Sequence, residues 1–144
     1  HEPCDVNALA TAALYHDASE ILTGDLPTPI KYHNAEIMSA YHAVEDLAVQ
    51  KLLGMLPPEL RATYADVLAE DKNGDIYPLV KAADKLSAYI KCIEERKAGN
   101  NEFLNAEKQT LAAIHSYELP EAEYFIEHFI PAFEKTLDEL GTIE

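Results

Sequence analysis

The chain has 144 residues, of which 48% are hydrophobic and 26% are charged, and its formal net charge is −15. One domain spanning residues 1–144 is expected at this length, and the hydrophobic fraction excludes general disorder. The acidic balance disfavours nucleic acids and anionic membranes as partners, and no apolar run is long enough to cross a membrane. We therefore expect a soluble protein, and the two widely separated cysteines, Cys4 and Cys92, favour a reducing cytoplasm.

Helical periodicity dominates the first half of the chain. Apolar residues at helical spacing predict a first helix from Val6 to about Ile21. The segment Thr23-Gly24-Asp25-Leu26-Pro27-Thr28-Pro29 ends that helix, because glycine and two prolines disfavour its continuation. A second helix is predicted to begin near Asn34, and Leu56-Pro57-Pro58 ends the region that follows it.

The second half of the chain is predicted to be helical as well. Pro78 fits the first turn of one helix, which Gly99-Asn100-Asn101 ends. The apolar stripe of this helix is predicted to consist of Leu79, Ala83, Leu86, Ile90 and Ile93. The other predicted helices are Glu59–Leu68, Glu102–His115 and Pro120–Leu140, the last kinked at Pro131 and with Phe125, Phe129, Phe133, Leu137 and Leu140 in register. Because no stretch alternates as a strand would, the sequence predicts an all-α fold of about six helices.

The stretch Tyr15-His16-Asp17-Ala18-Ser19-Glu20 contains the chemically informative residues. On a wheel that continues the first helix, His16, Asp17 and Glu20 fall on its apolar face. Ionised carboxylates on such a face need ion pairs, hydrogen bonds or a metal ion. Asp84, at the edge of a later apolar stripe, is a second acidic residue of this kind. Imidazole and carboxylates suit a divalent transition metal, and a solvated His-Asp pair without a metal is the alternative that these residues leave open.

Two segments of the chain resemble a known family. The run His16-Asp17-Ala18-Ser19-Glu20-Ile21-Leu22-Thr23-Gly24-Asp25-Leu26-Pro27-Thr28-Pro29 is similar to the signature of HD-domain phosphohydrolases, specifically the bacterial 5′-deoxynucleotidase (YfbR-type) branch. The stretch Lys81-Ala82-Ala83-Asp84-Lys85-Leu86-Ser87-Ala88-Tyr89-Ile90-Lys91-Cys92 resembles that family's later helix with the last metal-binding Asp, and the resemblance extends over nearly all 144 residues. It implies a helical HD-domain fold, a homodimer, a divalent metal ion such as Co, Mn or Zn, and release of phosphate from deoxyribonucleoside 5′-monophosphates.

The resemblance also implies roles for individual residues. His16, Asp17 and Asp84 would be the metal ligands. Glu20 would orient or deprotonate the attacking water, and Asp25 would reach the sugar or assist proton transfer. The implied substrate-binding residues are Asp17, Asp25, Leu26, Pro27, Thr28 and Asp84. These residue types fit the chemistry, since a divalent cation polarises a phosphoryl oxygen while a nearby carboxylate handles the proton.

The sequence departs from the family upstream of His16. Family members take a further His ligand from an upstream helix, and this branch also has an upstream Arg-Trp pair. Only fifteen residues precede His16 here, and they include neither Arg nor Trp. We therefore expect a chain that is N-terminally incomplete relative to the family, with weaker metal binding and less discrimination against ribonucleotides. Two alternatives stay open: an HD hydrolase of another phosphoester or nucleotide, and a catalytically inactive helical module that dimerises or binds a partner.

Overall fold

The computed structural model describes residues 4–27, 30, 33–68 and 74–141. Over these residues the secondary structure is helical, without a strand, which confirms the predicted all-α class. The helices are α1 (Val6–Tyr15), α2 (Glu20–Thr23), α3 (Ala35–Met55), α4 (Pro58–Leu68), α5 (Tyr77–Lys97), α6 (Leu104–His115), α7 (Pro120–His128), α8 (Ile130–Glu134) and α9 (Leu137–Leu140). None of the described helices is both long and apolar enough to span a bilayer.

The chain forms two compact units. The first unit, Val6–Lys72, contains α1 to α4, and the second unit, Asn73–Glu144 together with His1–Asp5, contains α5 to α9. Each unit has its own set of helix contacts. That residues 1–144 act as one domain stays a prediction.

Several helix boundaries lie where local chemistry predicted them. Asn34 caps α3, because its side-chain oxygen accepts a hydrogen bond from the Ile37 N–H at 2.8 Å. Pro78 occupies the first turn of α5, where its missing N–H leaves no helical hydrogen bond unmade. Gly99 follows the end of α5 with φ of +86°, a left-handed conformation that glycine adopts without a steric penalty.

In the first unit, α1 packs against α4, and both α2 and α4 pack against α3. The rings of Tyr15 on α1 and Tyr64 on α4 meet edge to face, with centroids 6.1 Å apart. The predicted apolar face of the first helix is only partly used: no α1 residue is fully buried, and Leu14 is 82% exposed. On α3, Ala48 and Leu53 are the residues that become buried.

The second unit has a contiguous apolar core. Its buried residues on α5 are Ala82, Leu86, Tyr89 and Ile93, at the spacing of one helix face. They pack with Ile114, Ala122 and Ile130 from α6, α7 and α8. The predicted stripe was therefore wrong by one position at Ala83, which is exposed while Ala82 is buried. Cys92 is buried and Cys4 is exposed, and both thiols are free.

The predicted Pro120–Leu140 helix is in fact three separate segments, α7 to α9. The first break precedes Pro131, which has no N–H to donate and whose ring crowds the preceding turn. The second break precedes Thr136, whose side chain and that of Glu139 form a capping box that starts α9. Because the helix is interrupted twice, the aromatic and leucine stripe loses its register, and Phe129, Phe133, Leu137 and Leu140 are exposed.

Polar contacts add to the burial of Ile130 in joining α8 to the rest of the second unit. The Arg96 guanidinium on α5 bridges Glu107 on α6, at 3.0 Å, and Glu134 on α8, at 2.6 Å. These two carboxylates raise the pKa of Arg96 further above its usual range, chiefly through the hydrogen bonds to Glu107. The Lys97 ammonium donates to the Phe133 carbonyl at 2.7 Å. The end of α5 that follows Cys92 is thereby held against α6 and α8.

Candidate metal centre

The segment after α1 is a pair of tight turns and not a continuing helix. The helix ends at Tyr15. The Ala18 N–H then donates to the Tyr15 carbonyl at 2.9 Å, and the Glu20 N–H donates to the Asp17 carbonyl at 2.9 Å. Both bonds span three residues, as in β-turns, whereas an α-helix bonds across four. The helical wheel used for His16, Asp17 and Glu20 was therefore wrong, since these residues lie on turns and at the start of α2.

The His16 side chain accounts for the end of α1. Its Nδ1 lies 2.8 Å from the carbonyl oxygen of Ala13. In a continuing helix this carbonyl would accept from the backbone N–H four residues later, so the imidazole competes with the helical ladder. A carbonyl oxygen has no hydrogen to give, so Nδ1 must be the donor. In the neutral imidazole, the lone pair is then on Nε2.

The lone-pair nitrogen of His16 faces the carboxylate of Asp17. Nε2 and the Asp17 Oδ2 are 2.9 Å apart. Two acceptors at this distance repel each other unless a proton or a metal cation lies between them. The distance is also about what two ligands at right angles on one divalent ion require, with bonds of about 2.1 Å. Imidazole fixed through its other nitrogen is the usual arrangement of a metal-binding His. His16 and Asp17 thus form a possible metal site whose donor set fits a divalent cation.

The exposure of the two side chains differs from the prediction. The His16 side chain is 17% exposed, whereas that of Asp17 is 54% exposed. The prediction that both lie on an apolar face was wrong for Asp17, because the turn after Tyr15 rotates it towards solvent. The Nε2 atom of His16 is itself buried, so the solvent-exposed part of the pair is the Asp17 carboxylate.

Glu20 is held close to this pair through its backbone. It is the first residue of α2 and is half-buried. Its N–H bonds the Asp17 carbonyl, and its own carbonyl accepts from the Gly24 N–H at 2.9 Å. Asp17 and Glu20 are thus the first and last residues of one turn, whose Cα atoms lie within about 7 Å of each other. The carboxylate predicted to handle the proton lies in the same short segment as two of the predicted ligands, His16 and Asp17.

The loop after α2 contains the remaining predicted residues of the first unit. Asp25 and Pro27 are exposed and Leu26 is half-buried, while Thr28 lies outside the described residues. The carbonyl of Gly24 accepts hydrogen bonds from two hydroxyls, those of Thr23 and Tyr41, each at 3.0 Å. Tyr41 was not among the residues predicted to belong to the site. A hydrogen bond across 17 residues leaves no local sequence signal.

The backbone conformation at position 24 requires glycine. Its φ of +72° and ψ of +161° fall in a region that is essentially restricted to glycine. We expect Gly24→Ala to lower the free energy of unfolding by roughly 1–3 kcal/mol. Gly54 near the end of α3 is the matched control, since Gly54→Ala should raise that free energy by about 0.5–1 kcal/mol. Among the described residues, no atom lies within 4 Å of a Cβ built at either position. Urea titration measures the free energy of unfolding of both variants. Equal changes at the two glycines would contradict the conformational argument.

Asp84 belongs to the second unit. It lies on α5 two residues after the buried Ala82, which places it about 160° around the helix from the core face. Its side chain is 38% exposed, and the Lys85 ammonium is 3.8 Å from its Oδ2. Val80, one turn earlier, is buried. Asp84 therefore lies beside Val80, as predicted, but almost opposite the buried stripe of α5 and not at its edge, and its role as a ligand stays a prediction.

The sequence matches the model of one protein family over residues 1–133, described as 5′-deoxynucleotidase YfbR-like. A protein of Shigella flexneri serotype 5b (strain 8401) named 5′-deoxynucleotidase YfbR is 50% identical over 140 residues, which are 95% of this chain and 70% of that protein. A protein of Erwinia tasmaniensis named 5′-deoxynucleotidase is 50% identical over 137 residues, 92% of this chain and 68% of that one.

A solved structure is also similar to most of the chain. It is the crystal structure of an HD-domain phosphohydrolase from Listeria innocua, with a TM-score of 0.77 and 27% sequence identity. The match covers 92% of this chain, and the chain spans 65% of the length of that structure. The predicted HD-domain fold is confirmed by this likeness together with the helical content.

Proposed function

The chain belongs to the YfbR-like family of 5′-deoxynucleotidases, and on this premise we propose that it is a metal-dependent phosphohydrolase of deoxyribonucleoside 5′-monophosphates. The single observation that supports a hydrolytic site is the 2.9 Å approach of the His16 Nε2 to the Asp17 carboxylate, with Nδ1 committed to a backbone carbonyl. A cation at this pair also offsets the net charge of −15, which would otherwise repel a nucleotide phosphate.

The proposed ligands are His16, Asp17 and Asp84. Imidazole and carboxylate oxygens together suit a divalent transition metal such as Co, Mn or Zn better than they suit Ca or Mg. When bound, such an ion supplies charge stabilisation for the phosphoryl group and acidifies a water molecule. The Ala13 carbonyl holds the His16 ring in one orientation, so that Nε2 keeps its lone pair available for ligation.

The proton chemistry is assigned to the two remaining carboxylates. Glu20 orients the attacking water and takes its proton as the water oxygen bonds to phosphorus. The bond between phosphorus and the 5′ oxygen then breaks, and that oxygen receives a proton as the nucleoside leaves. Asp25 either donates this proton or holds the sugar, and Asp17 and Asp84 also contact the substrate. Leu26, Pro27 and Thr28, which follow Asp25 in the sequence, are the other residues proposed to bind the nucleotide.

The experiment is a turnover panel on metal-stripped protein reloaded separately with Co²⁺, Mn²⁺ or Zn²⁺. We expect phosphate release from dAMP with at least one metal and none with the stripped protein. Release from dAMP above that from AMP supports a deoxynucleotidase, whereas equal release supports a broader nucleoside monophosphate phosphohydrolase. Absence of phosphate release from every nucleotide with every metal would contradict the proposal.

Two further parts of the proposal concern assembly and location. We propose that the protein is a homodimer and acts in the cytoplasm. The exposed apolar side chains of the first unit, among them Leu47 and Met55, are consistent with a protein surface that is covered in an assembly. The two free cysteines fit a reducing compartment.

A further inference from the structure

Between Glu20 and Asp25, both the N–H and the carbonyl of Gly24 make hydrogen bonds that hold the backbone. The Gly24 N–H donates to the Glu20 carbonyl at 2.9 Å. The Gly24 carbonyl accepts from the Thr23 Oγ1 and from the Tyr41 hydroxyl, each at 3.0 Å. Thr23 is the adjacent residue, whereas Tyr41 comes from α3, on which α2 packs. We call this set of hydrogen bonds the Gly24 clamp.

A clamp at this carbonyl determines where Asp25 lies. The atoms from the Gly24 Cα through the carbonyl to the Asp25 Cα are coplanar, because the peptide bond does not rotate. Holding the carbonyl oxygen therefore holds the Asp25 Cα as well. Glycine has the largest conformational freedom of all residues, so without the clamp the exposed loop could turn at Gly24 and carry Asp25 away.

We propose that Tyr41 is a positioning residue, whose hydroxyl fixes the Gly24 carbonyl and thereby places the Asp25 carboxylate at the bound nucleotide. This inference rests on the proposed function, in which Asp25 contacts the sugar or transfers a proton. The same set of hydrogen bonds links the backbone at Asp25 to that at Glu20 through the Gly24 N–H, so the main chain between the two residues is constrained. Tyr41 contacts neither the substrate nor the metal in this proposal.

The test begins with Tyr41→Phe, which removes one hydroxyl and keeps the ring. We expect kcat/KM for dAMP to fall roughly 3- to 12-fold, the effect of one ordinary hydrogen bond, while the bound cobalt per chain is unchanged. Thr23→Val should act in the same direction. Tyr117→Phe is the matched control, since Tyr117 is an exposed residue of the second unit, and it should match the unmodified protein.

A double-mutant cycle separates positioning from general stabilisation. If Tyr41 acts through Asp25, then Tyr41→Phe should lower kcat/KM for dAMP by less than about 1.5-fold in a chain that already has Asp25→Ala. If Tyr41→Phe lowers kcat/KM by the same factor with and without Asp25→Ala, the inference is overturned, because Tyr41 would then act on some other part of the protein. Loss of cobalt in Tyr41→Phe would overturn it as well.

Hydrogen exchange distinguishes failure of this inference from failure of the proposed function. In Tyr41→Phe, the peptide covering residues 20–27 should exchange faster than in Tyr117→Phe. If the unmodified protein releases no phosphate from any nucleotide, the proposed function fails, and with it the placement of Asp25 for catalysis, whereas faster exchange would still establish the clamp. Unchanged exchange in Tyr41→Phe would overturn the clamp whether or not the protein is active.

Discussion

His16→Ala is expected to abolish metal-dependent phosphate release and to lower the affinity for a divalent metal by more than about 100-fold. Loss of an outer hydrogen-bond partner of a ligand already costs 10- to 100-fold, and here the ligand itself is removed. The proposed ligands that remain are two carboxylates, Asp17 and Asp84, and the Asp17 side chain, which is 54% exposed, has lost the imidazole beside it. Metal content after dialysis and phosphate release from dAMP measure the two effects.

The control for this variant is His42→Ala. His42 on α3 also pairs with a carboxylate, because its Nδ1 lies 3.0 Å from the Glu45 Oε2. The His42→Ala variant therefore removes the same kind of pair from the same unit, and we expect its metal content and turnover to equal those of the unmodified chain. Equal losses in His16→Ala and His42→Ala would point to a general effect of losing a histidine and would contradict the site assignment.

Asp84→Asn tests the ligand proposed from the second unit. The substitution keeps the size of the side chain and removes its charge, so the helix should persist while metal affinity and turnover both fall. Glu94→Gln is the control on the same helix, since Glu94 is exposed and its carbonyl accepts the helical bond from Ala98. Unchanged metal content in Asp84→Asn would show that the third ligand is another residue.

Boundaries set by local chemistry were predictable from the sequence. An Asn side chain that accepts the Ile37 N–H starts α3, and a proline ring starts α5. Each of these devices acts within about one helical turn, so a short window of sequence contains all that is needed. The same is true of the all-α class, since helical periodicity repeats along the whole chain.

Features decided by a competing contact were not predictable. The end of α1 depends on the His16 imidazole taking the Ala13 carbonyl, and a wheel that assumes a continuous helix cannot include that choice. The buried face of α5 is centred on Ala82 rather than Ala83, because packing against α6, α7 and α8 selects which of two adjacent alanines is covered. The hydrogen bond from Tyr41 to Gly24 joins residues 17 apart and depends on tertiary structure alone.

For the candidate site, the sequence indicated which residues to consider but not how they are placed. The residues of the His16–Glu20 run were identified from their type and spacing, but their proposed placement on one helix face was wrong. The structure replaces that face with two turns that still bring His16, Asp17 and Glu20 into one short segment. Imidazole and carboxylates indicate similar metal chemistry on a turn and on a helix, so the ligand roles of His16 and Asp17 do not depend on the assumed helix and stay predictions.

Glu20→Gln is expected to separate proton transfer from metal binding. The amide keeps the shape of the side chain but cannot accept a proton from water, so kcat for dAMP should fall by roughly 10²- to 10⁴-fold. The bound metal per chain should stay within about twofold of the unmodified protein, because Glu20 is not one of the proposed ligands. Glu36→Gln, in the exposed first turn of α3, is the control and should leave kcat unchanged.

The backbone of Glu20 makes this variant interpretable. Its N–H is bonded to the Asp17 carbonyl and its carbonyl to the Gly24 N–H, and neither bond involves the side chain. The turn that holds His16 and Asp17, and the loop that leads to Asp25, should therefore survive the substitution. A large loss of kcat with the metal retained would then identify Glu20 as the group that accepts the proton of the attacking water. Metal loss equal to that of His16→Ala would instead make Glu20 a ligand, and full activity would leave the attacking water to be activated without it.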